Sequence, residues 1–138
     1  MSVSTPDLAD LLMRAGRRLR SAHAEELIGL PVNPHQARAL RAIARRAPLR
    51  PSALAESLRV APRSATEVVD ALVAGGWVER ARDPDDGRAM LLDLTAPGRE
   101  LIGDIDRARA RAAEKLLGGL SESERATLAA ALGRVVAG

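Results

Sequence analysis

Residues 51–95 read PSALAESLRVAPRSATEVVDALVAGGWVERARDPDDGRAMLLDLT and carry the strongest structural signal in the chain. Apolar side chains recur at helical spacing over residues 51–58 and again over residues 62–74, so two helices are predicted there. Three residues, 59–61, remain for the turn between them. Each predicted helix begins with a proline, which suits a first helical position because its missing N–H has no partner there.

Two strand-like segments follow the second helix. They span residues 77–82 and 89–94 and flank the polar loop DPDDGR at residues 83–88. Gly75 and Gly76 stand between helix and strand, where a left-handed helix stop is common. Helix, tight turn, helix and hairpin make up a winged helix-turn-helix, which sets one helix into the DNA major groove and directs the hairpin to the flanking backbone or minor groove.

Further helices are predicted on both sides of this unit. A helix over residues 5–27 carries a stripe of leucine and alanine, and the next helix is capped by Asn33. After the hairpin, Thr95 caps a long helix, and Ser121 with Glu124 forms a capping box for a last one. A small winged helix cannot cover these apolar stripes alone, so we expect the terminal helices to pack against a second copy in a two-fold homodimer.

The predicted fold class is therefore mainly α with a small β-hairpin wing (α+β). We expect a single domain over residues 1–138, in which residues 33–94 form the winged helix-turn-helix. Residues 5–32 and 95–138 are predicted to form the dimerisation helices on either side of it.

Composition argues against several other classes of protein. The chain has no cysteine, which excludes disulfides, thiolate metal sites and thiol redox switches. No apolar run approaches the roughly 20 residues that span a bilayer, and the N-terminus is not basic like a signal peptide, so we expect a cytoplasmic protein without a membrane partner. His23 and His35 have no ligand spacing, so neither metal nor cofactor is expected. Without a phosphate loop or nucleophile elbow, we expect no enzymatic activity.

Charge is a weaker indicator than pattern. The net charge is +3, and the basic residues are almost all arginine, an enrichment that a GC-rich genome also produces. Residues 50–90 contain six arginines and seven acidic residues. Net charge alone does not indicate a nucleic-acid binder, so the prediction rests on the order of the elements.

With these motifs in place, the chain resembles the MarR family of bacterial transcriptional regulators over essentially its whole length. The most specific segments are residues 52–55, 64–72, 77–80, 83–89 and 94–98. The resemblance implies a homodimer with interlocked terminal helices, recognition helices that read a pseudo-palindromic operator in double-stranded DNA, and wing arginines in the minor groove. It also implies a repressor released from DNA by a small, often phenolic ligand bound between the dimerisation helices and the DNA-binding unit.

The chain departs from the family pattern at four positions. Ala61 stands where many relatives carry a hydroxyl cap, and Arg50 stands where threonine or serine is common. Glu67 and Ala71 occupy positions that are basic in many relatives. A carboxylate at position 67 would either repel phosphate or accept a hydrogen bond from a cytosine amino group, so the base preference is expected to differ from that of typical members.

The predicted DNA contacts lie on the second helix of the unit, on the turn before it and on the hairpin. Arg88, near the wing tip, is the strongest candidate, and it can pair with Asp83 or Asp86, which would brace the wing and orient the guanidinium. Arg80 and Arg82 are expected to contact the DNA backbone or to brace the wing. Trp77 is expected to pack at the base of the wing. The full predicted set of DNA contacts is Arg59, Arg63, Ser64, Thr66, Glu67, Arg80, Arg82 and Arg88.

Two functions therefore remain open. The first is an operator-binding repressor that is released by a small phenolic or carboxylic ligand, held in an aliphatic pocket with an arginine anchor because the chain lacks Phe and Tyr. The second is a winged helix used for protein–protein contact with little or no DNA binding. Glu67 and the local excess of acidic residues motivate the second function.

Overall fold

A computed structural model describes residues 2–138, which form six helices and one hairpin. The helices are α1 (Thr5–Glu26), α2 (Pro34–Arg46), α3 (Pro51–Leu58), α4 (Pro62–Ala74), α5 (Ala96–Leu117) and α6 (Glu122–Ala137). The strands β1 (Val78–Arg82) and β2 (Met90–Leu94) pair antiparallel, and we call these strands and their connecting loop the wing. The predicted fold class, mainly α with a small β-hairpin wing, is confirmed.

Helix starts coincide with the caps that the sequence predicts. Asn33 and Gln36 exchange hydrogen bonds at the start of α2, with N···O distances of 2.8 and 2.9 Å. Ser121 and Glu124 form the same reciprocal box at α6, and the Thr95 hydroxyl oxygen accepts the third N–H of α5. Each such cap stabilises its helix by about 1 kcal/mol because it satisfies an otherwise unpaired backbone donor.

The turn between α3 and α4 depends on a left-handed residue. Arg59 has φ 55° and ψ 47°, a conformation that arginine adopts at an energetic cost. Its N–H donates to the carbonyl of Glu56, and the N–H of Val60 donates to that of Ala55, both at 3.1 Å. This Schellman-type closure lets the chain reverse within three residues, so α4 starts directly at Pro62.

The core lies where α2, α3, α4 and the base of the wing meet, and α5 closes it. Its largest fully buried side chains are Leu40, Ile43, Leu54, Val69, Leu72, Leu92 and Ile105. Burial of each such side chain contributes about 1.5–3 kcal/mol. The core therefore fixes α4 from behind and leaves its opposite face exposed.

The wing stem is part of this core. Leu49, in the segment between α2 and α3, pairs with Leu92 of β2 through two backbone hydrogen bonds of 3.2 and 2.7 Å. Leu92 has no exposed surface. Trp77, half-buried at the foot of β1, packs against the same core, which agrees with the position expected for it.

The apolar stripe of α1 and most of α6 lie in contact with solvent in the single chain. Leu8 is 55% exposed and Leu11 54%, while Val135 and Val136 of α6 are 65% and 85% exposed. Neither helix contains a fully buried residue. In the described part of the chain, no helix combines the length and apolar character that crossing a membrane requires.

Candidate nucleic-acid interface

The centre of the candidate interface is the exposed face of α4. Ala65, Val69 and Leu72 face the core and are buried. Arg63 and Glu67 lie one turn apart near the middle of the opposite face, because residues four apart share a side of a helix. Within residues 2–138, neither side chain forms an ion pair shorter than 4 Å.

The two hydroxyl residues in the predicted set differ in what they can offer. Ser64 is exposed. The Thr66 hydroxyl donates to the carbonyl of Pro62 at 2.9 Å, back along its own helix. Because that bond uses the only hydroxyl hydrogen, Thr66 retains only its acceptor lone pairs for an outside group.

Arg80 is held by the protein itself. Its guanidinium donates to the Asp70 carboxylate, which joins β1 of the wing to the C-terminal half of α4. An ion pair this exposed contributes at most about 1 kcal/mol to the free energy of unfolding. Its main effect is therefore to fix the orientation of the wing relative to α4. This ion pair thus joins the wing to α4 beside the exposed face of that helix.

The wing loop is braced by Arg50. Its Nη2 lies 3.1 Å from Asp83 Oδ2 and 3.8 Å from Asp86 Oδ2. The Asp85 N–H donates to Asp83 Oδ1 at 2.9 Å, and this bond, followed by the one from Arg50, lowers the pKa of the Asp83 carboxyl. Asp83 therefore stays ionised and anchors the loop to the start of α3.

This arrangement corrects the expectation that Arg88 faces Asp83 or Asp86. The Arg88 N–H donates to Asp86 Oδ1 at 3.1 Å, in a local turn. Its exposed guanidinium makes no ion pair with any residue from 2 to 138. Arg50 pairs with both carboxylates instead, because α3 begins beside the loop. The sequence marks Arg50 only as a departure from the family pattern.

The other predicted arginines, Arg59 and Arg82, are also exposed and without an ion-pair partner in the described residues. Together with Arg63 and Arg88 they give this surface four available guanidinium groups. Asp70 pairs with Arg80, while Asp83 and Asp86 share the single guanidinium of Arg50. Among the described residues, the acidic side chains of this region that form no ion pair are those of Glu56, Glu67, Glu79 and Asp85. The six arginines and seven acidic residues of residues 50–90 leave a net charge of −1, so the placement of individual groups matters more than their sum.

A cavity of about 180 Å³ lies away from this surface, between α1 and α5. It is thus formed by the predicted dimerisation helices themselves, and not between those helices and the DNA-binding unit, where the family resemblance implies a ligand. It is lined by Leu19, Arg20, His23, Arg109, Ala112 and Ala113. His23 Nε2 is buried there without a hydrogen-bond partner in residues 2–138. Burial, then the charges of Arg109 and Arg41, lowers the pKa of His23. Burial and the neighbouring Arg41 also lower the pKa of Arg109.

Arg20 and Arg109 bring positive charge to the cavity, and Asp106 partly offsets the charge of Arg109. A bound anion would reduce the repulsion of the Arg109 guanidinium from neighbouring cations. No group of three or more His, Cys, Asp or Glu side chains in the described chain is placed to hold a metal ion. The cavity therefore combines two cationic side chains with the apolar walls of Leu19, Ala112 and Ala113.

Comparisons with known proteins agree with this geometry. A family model described as the MarR family matches residues 28–89. An uncharacterized HTH-type transcriptional regulator of Mycobacterium bovis is 37% identical over 125 residues, covering 91% of this chain and 85% of that protein. The multiple antibiotic resistance protein MarR of Escherichia coli K12 is 32% identical over 102 residues, covering 69% of this chain and 71% of that protein.

Solved structures extend the likeness to the whole fold. The crystal structure of wild-type MarR from E. coli in its apo form superimposes with a TM-score of 0.84 at 26% identity, and 98% of each chain is covered. A mutant of E. coli MarR complexed with operator DNA gives a TM-score of 0.78 at 29% identity, covering 93% of this chain and 92% of that chain.

Proposed function

This chain belongs to the MarR family of transcriptional regulators, and we propose that it acts as a homodimeric repressor of an inverted-repeat operator. The observation that carries the proposal is the pairing pattern on α4 and the wing. Within residues 2–138, Arg63, Arg82 and Arg88 are exposed and form no ion pair, whereas Asp70 holds Arg80 between the two elements. A braced helix and hairpin with available guanidinium groups suit contact with base edges and phosphates.

The proposed dimer uses residues 5–32 and 95–138, with residues 33–94 as the DNA-binding unit of one domain. Its support is the apolar surface of α1 and α6, because a soluble monomer rarely exposes so continuous an apolar stripe. A two-fold axis through these helices presents two copies of α4. Half-sites about 10 base pairs apart, one turn of DNA, would match that symmetry. Because a bacterial operator lies in the cytoplasm, the proposed function implies that the protein acts there.

Release by a small organic acid is the regulatory part of the proposal. The cavity between α1 and α5 offers apolar walls from Leu19 and Ala112, and Arg20 and Arg109 as partners for a carboxylate or phenolate. A ligand there changes DNA binding only through its different affinity for the DNA-bound and free arrangements of the dimer. Ligand binding should therefore be weaker when operator is present.

Use of the winged helix for protein–protein contact is the second candidate function. It is favoured by the local excess of one acidic residue over residues 50–90. The exposed carboxylates of Glu56, Glu67, Glu79 and Asp85 also equal the four available arginines in number. Such a surface need not attract a polyanion. The two functions differ in their response to salt and to DNA sequence.

The test measures binding of the protein to duplexes from the DNA upstream of its own coding sequence, against a shuffled duplex of equal length and composition. For the repressor, we expect preference for one duplex and a steep, linear fall of log affinity with log salt, because phosphate contacts release counterions. Equal affinity for all duplexes, or affinity independent of salt, contradicts the proposal and leaves the protein–protein function.

A further inference from the structure

Of the two acidic side chains of α4, Glu67 is the one that has no ion-pair partner in the described residues. The helix carries two acids, and Asp70 is occupied by Arg80. Glu67 is exposed, near the middle of the outward face, and has no ion pair within residues 2–138. A carboxylate buried in an interface without a hydrogen-bond donor carries a large desolvation cost. Any partner that covers this face must therefore supply a donor at position 67.

The geometry of the major groove decides which part of DNA position 67 meets. A helix with its side chains is about 10–12 Å across, and the major groove is about 12 Å wide. A helix that fills the groove directs the middle of its outward face to the base edges and its flanks to the phosphates. Glu67 lies in the middle, so it approaches bases and avoids the phosphates that would repel it.

The chemistry of the four bases then shows which of them can supply a hydrogen-bond donor to Glu67. Guanine presents two acceptors in the major groove, and thymine presents an acceptor and a methyl group. Adenine has a donor amino group, but its N7 acceptor lies directly beside it and repels a carboxylate. Cytosine presents its N4 amino group with no acceptor on the same base edge.

We propose that Glu67 is a specificity-determining residue that selects cytosine at one position of each operator half-site. This inference rests on the proposed DNA-binding function and names part of the sequence that the function requires. Arg63, one turn earlier on the same face, is a donor and suits guanine, so the two side chains read complementary features of the groove.

The test selects bound duplexes from a random library with the full-length wild-type protein, with Glu67→Gln and with Glu67→Ala. Wild type is expected to enrich cytosine at one position per half-site by about 5- to 150-fold over the other bases. Glu67→Gln should change the enriched base at that position to adenine, because an amide donates to N7 and accepts from the amino group. Glu67→Ala should enrich no base there.

Glu56→Gln is the matched control, because Glu56 is an exposed acid on α3 without an ion pair in the described chain, and the substitution removes the same charge. It should leave the selected sequence unchanged, although it removes the same negative charge as Glu67→Gln does. Circular dichroism checks that each variant is folded.

Three results overturn the inference. If wild type and both Glu67 variants select the same base at every position, Glu67 reads nothing, although the repressor function stands. If Glu56→Gln changes the motif as Glu67→Gln does, the effect is one of net charge. If wild type enriches no sequence at all, the DNA-binding function fails, and the inference fails with it.

Discussion

Replacement of Gly98 by alanine tests the packing that joins the wing to α5. Gly98 is the third residue of α5, and a Cβ atom built on it would lie 2.0 Å from the carbonyl oxygen of Trp77 and 3.0 Å from its carbonyl carbon. The obstacle is backbone, which cannot rotate away. The same carbonyl accepts the Thr95 N–H at 3.1 Å, so any movement of α5 away from Trp77 stretches that bond as well.

The cost can be worked from these contacts. Relief of the clash needs a displacement of about 1 Å, since carbon–oxygen contacts below about 3 Å are strongly repulsive. We expect losses of about 1 kcal/mol for the Thr95 cap, about 1 kcal/mol for its backbone hydrogen bond and about 1–3 kcal/mol for overpacking. Alanine regains about 1 kcal/mol of helix propensity. The net loss in free energy of unfolding is about 2–4 kcal/mol.

The assay is urea unfolding followed by the fluorescence of Trp77, the only tryptophan, at one fixed protein concentration. Gly103→Ala is the control within the same helix, because its Cβ would meet only the flexible end of Arg107 at 3.5 Å. That variant should gain about 0.5–1 kcal/mol. If Gly98→Ala is as stable as wild type while Gly103→Ala behaves as expected, the close approach of Gly98 to Trp77 is refuted.

Three further predictions concern DNA binding, assembly and pH. Arg88→Ala should weaken operator binding at least about tenfold and reduce the slope of log affinity against log salt by about 2 per dimer, because one phosphate contact is lost in each protomer. Arg134→Ala on α6 should change neither quantity. Equal effects of the two variants would show that the wing does not contact DNA through Arg88. The thermal midpoint of unfolding should rise with protein concentration if the folded chain is a dimer, and sedimentation showing a folded monomer at micromolar concentration contradicts this. Because the pKa of His23 is lowered from 6.5, the unfolded chain binds its proton first, so the free energy of unfolding should fall as the pH decreases through 6.5 towards the lower folded-state pKa. His23→Asn should reduce that slope between pH 7.5 and 5.5, and an unchanged slope in urea titrations would show that another group titrates.

The elements could be predicted from the sequence because their signals are local. A proline at the first position, a capping side chain three residues from its partner and a glycine after the last turn each act within one helical turn. Pro62, Asn33 and Thr95 accordingly mark helix starts in the structure. The strand bounds shifted by one residue each, from 77 to 78 and from 89 to 90, because pairing in the hairpin sets them.

Contacts between distant segments were not predictable in the same way. The partner of Asp83 is Arg50, 33 residues earlier, and not Arg88 in the same loop. The choice depends on where α3 begins in space, which no spacing rule encodes. The pairing of Leu49 with Leu92 is equally remote in sequence. The roles of the predicted DNA contacts stay predictions, since they depend on a partner molecule.

The pairing of Leu49 with Leu92 also bears on mechanics. A hairpin on a free stem can bend to follow irregular DNA, but this stem is hydrogen-bonded to the α2–α3 segment and buried in the core. Arg50 and Asp70 add two further cross-links, one to the loop and one to β1. These contacts tie α4 and the wing to each other, so we expect the two elements to move together. In the proposed dimer, any change in the distance between the two copies of α4 would therefore have to come from the helices outside residues 49–94.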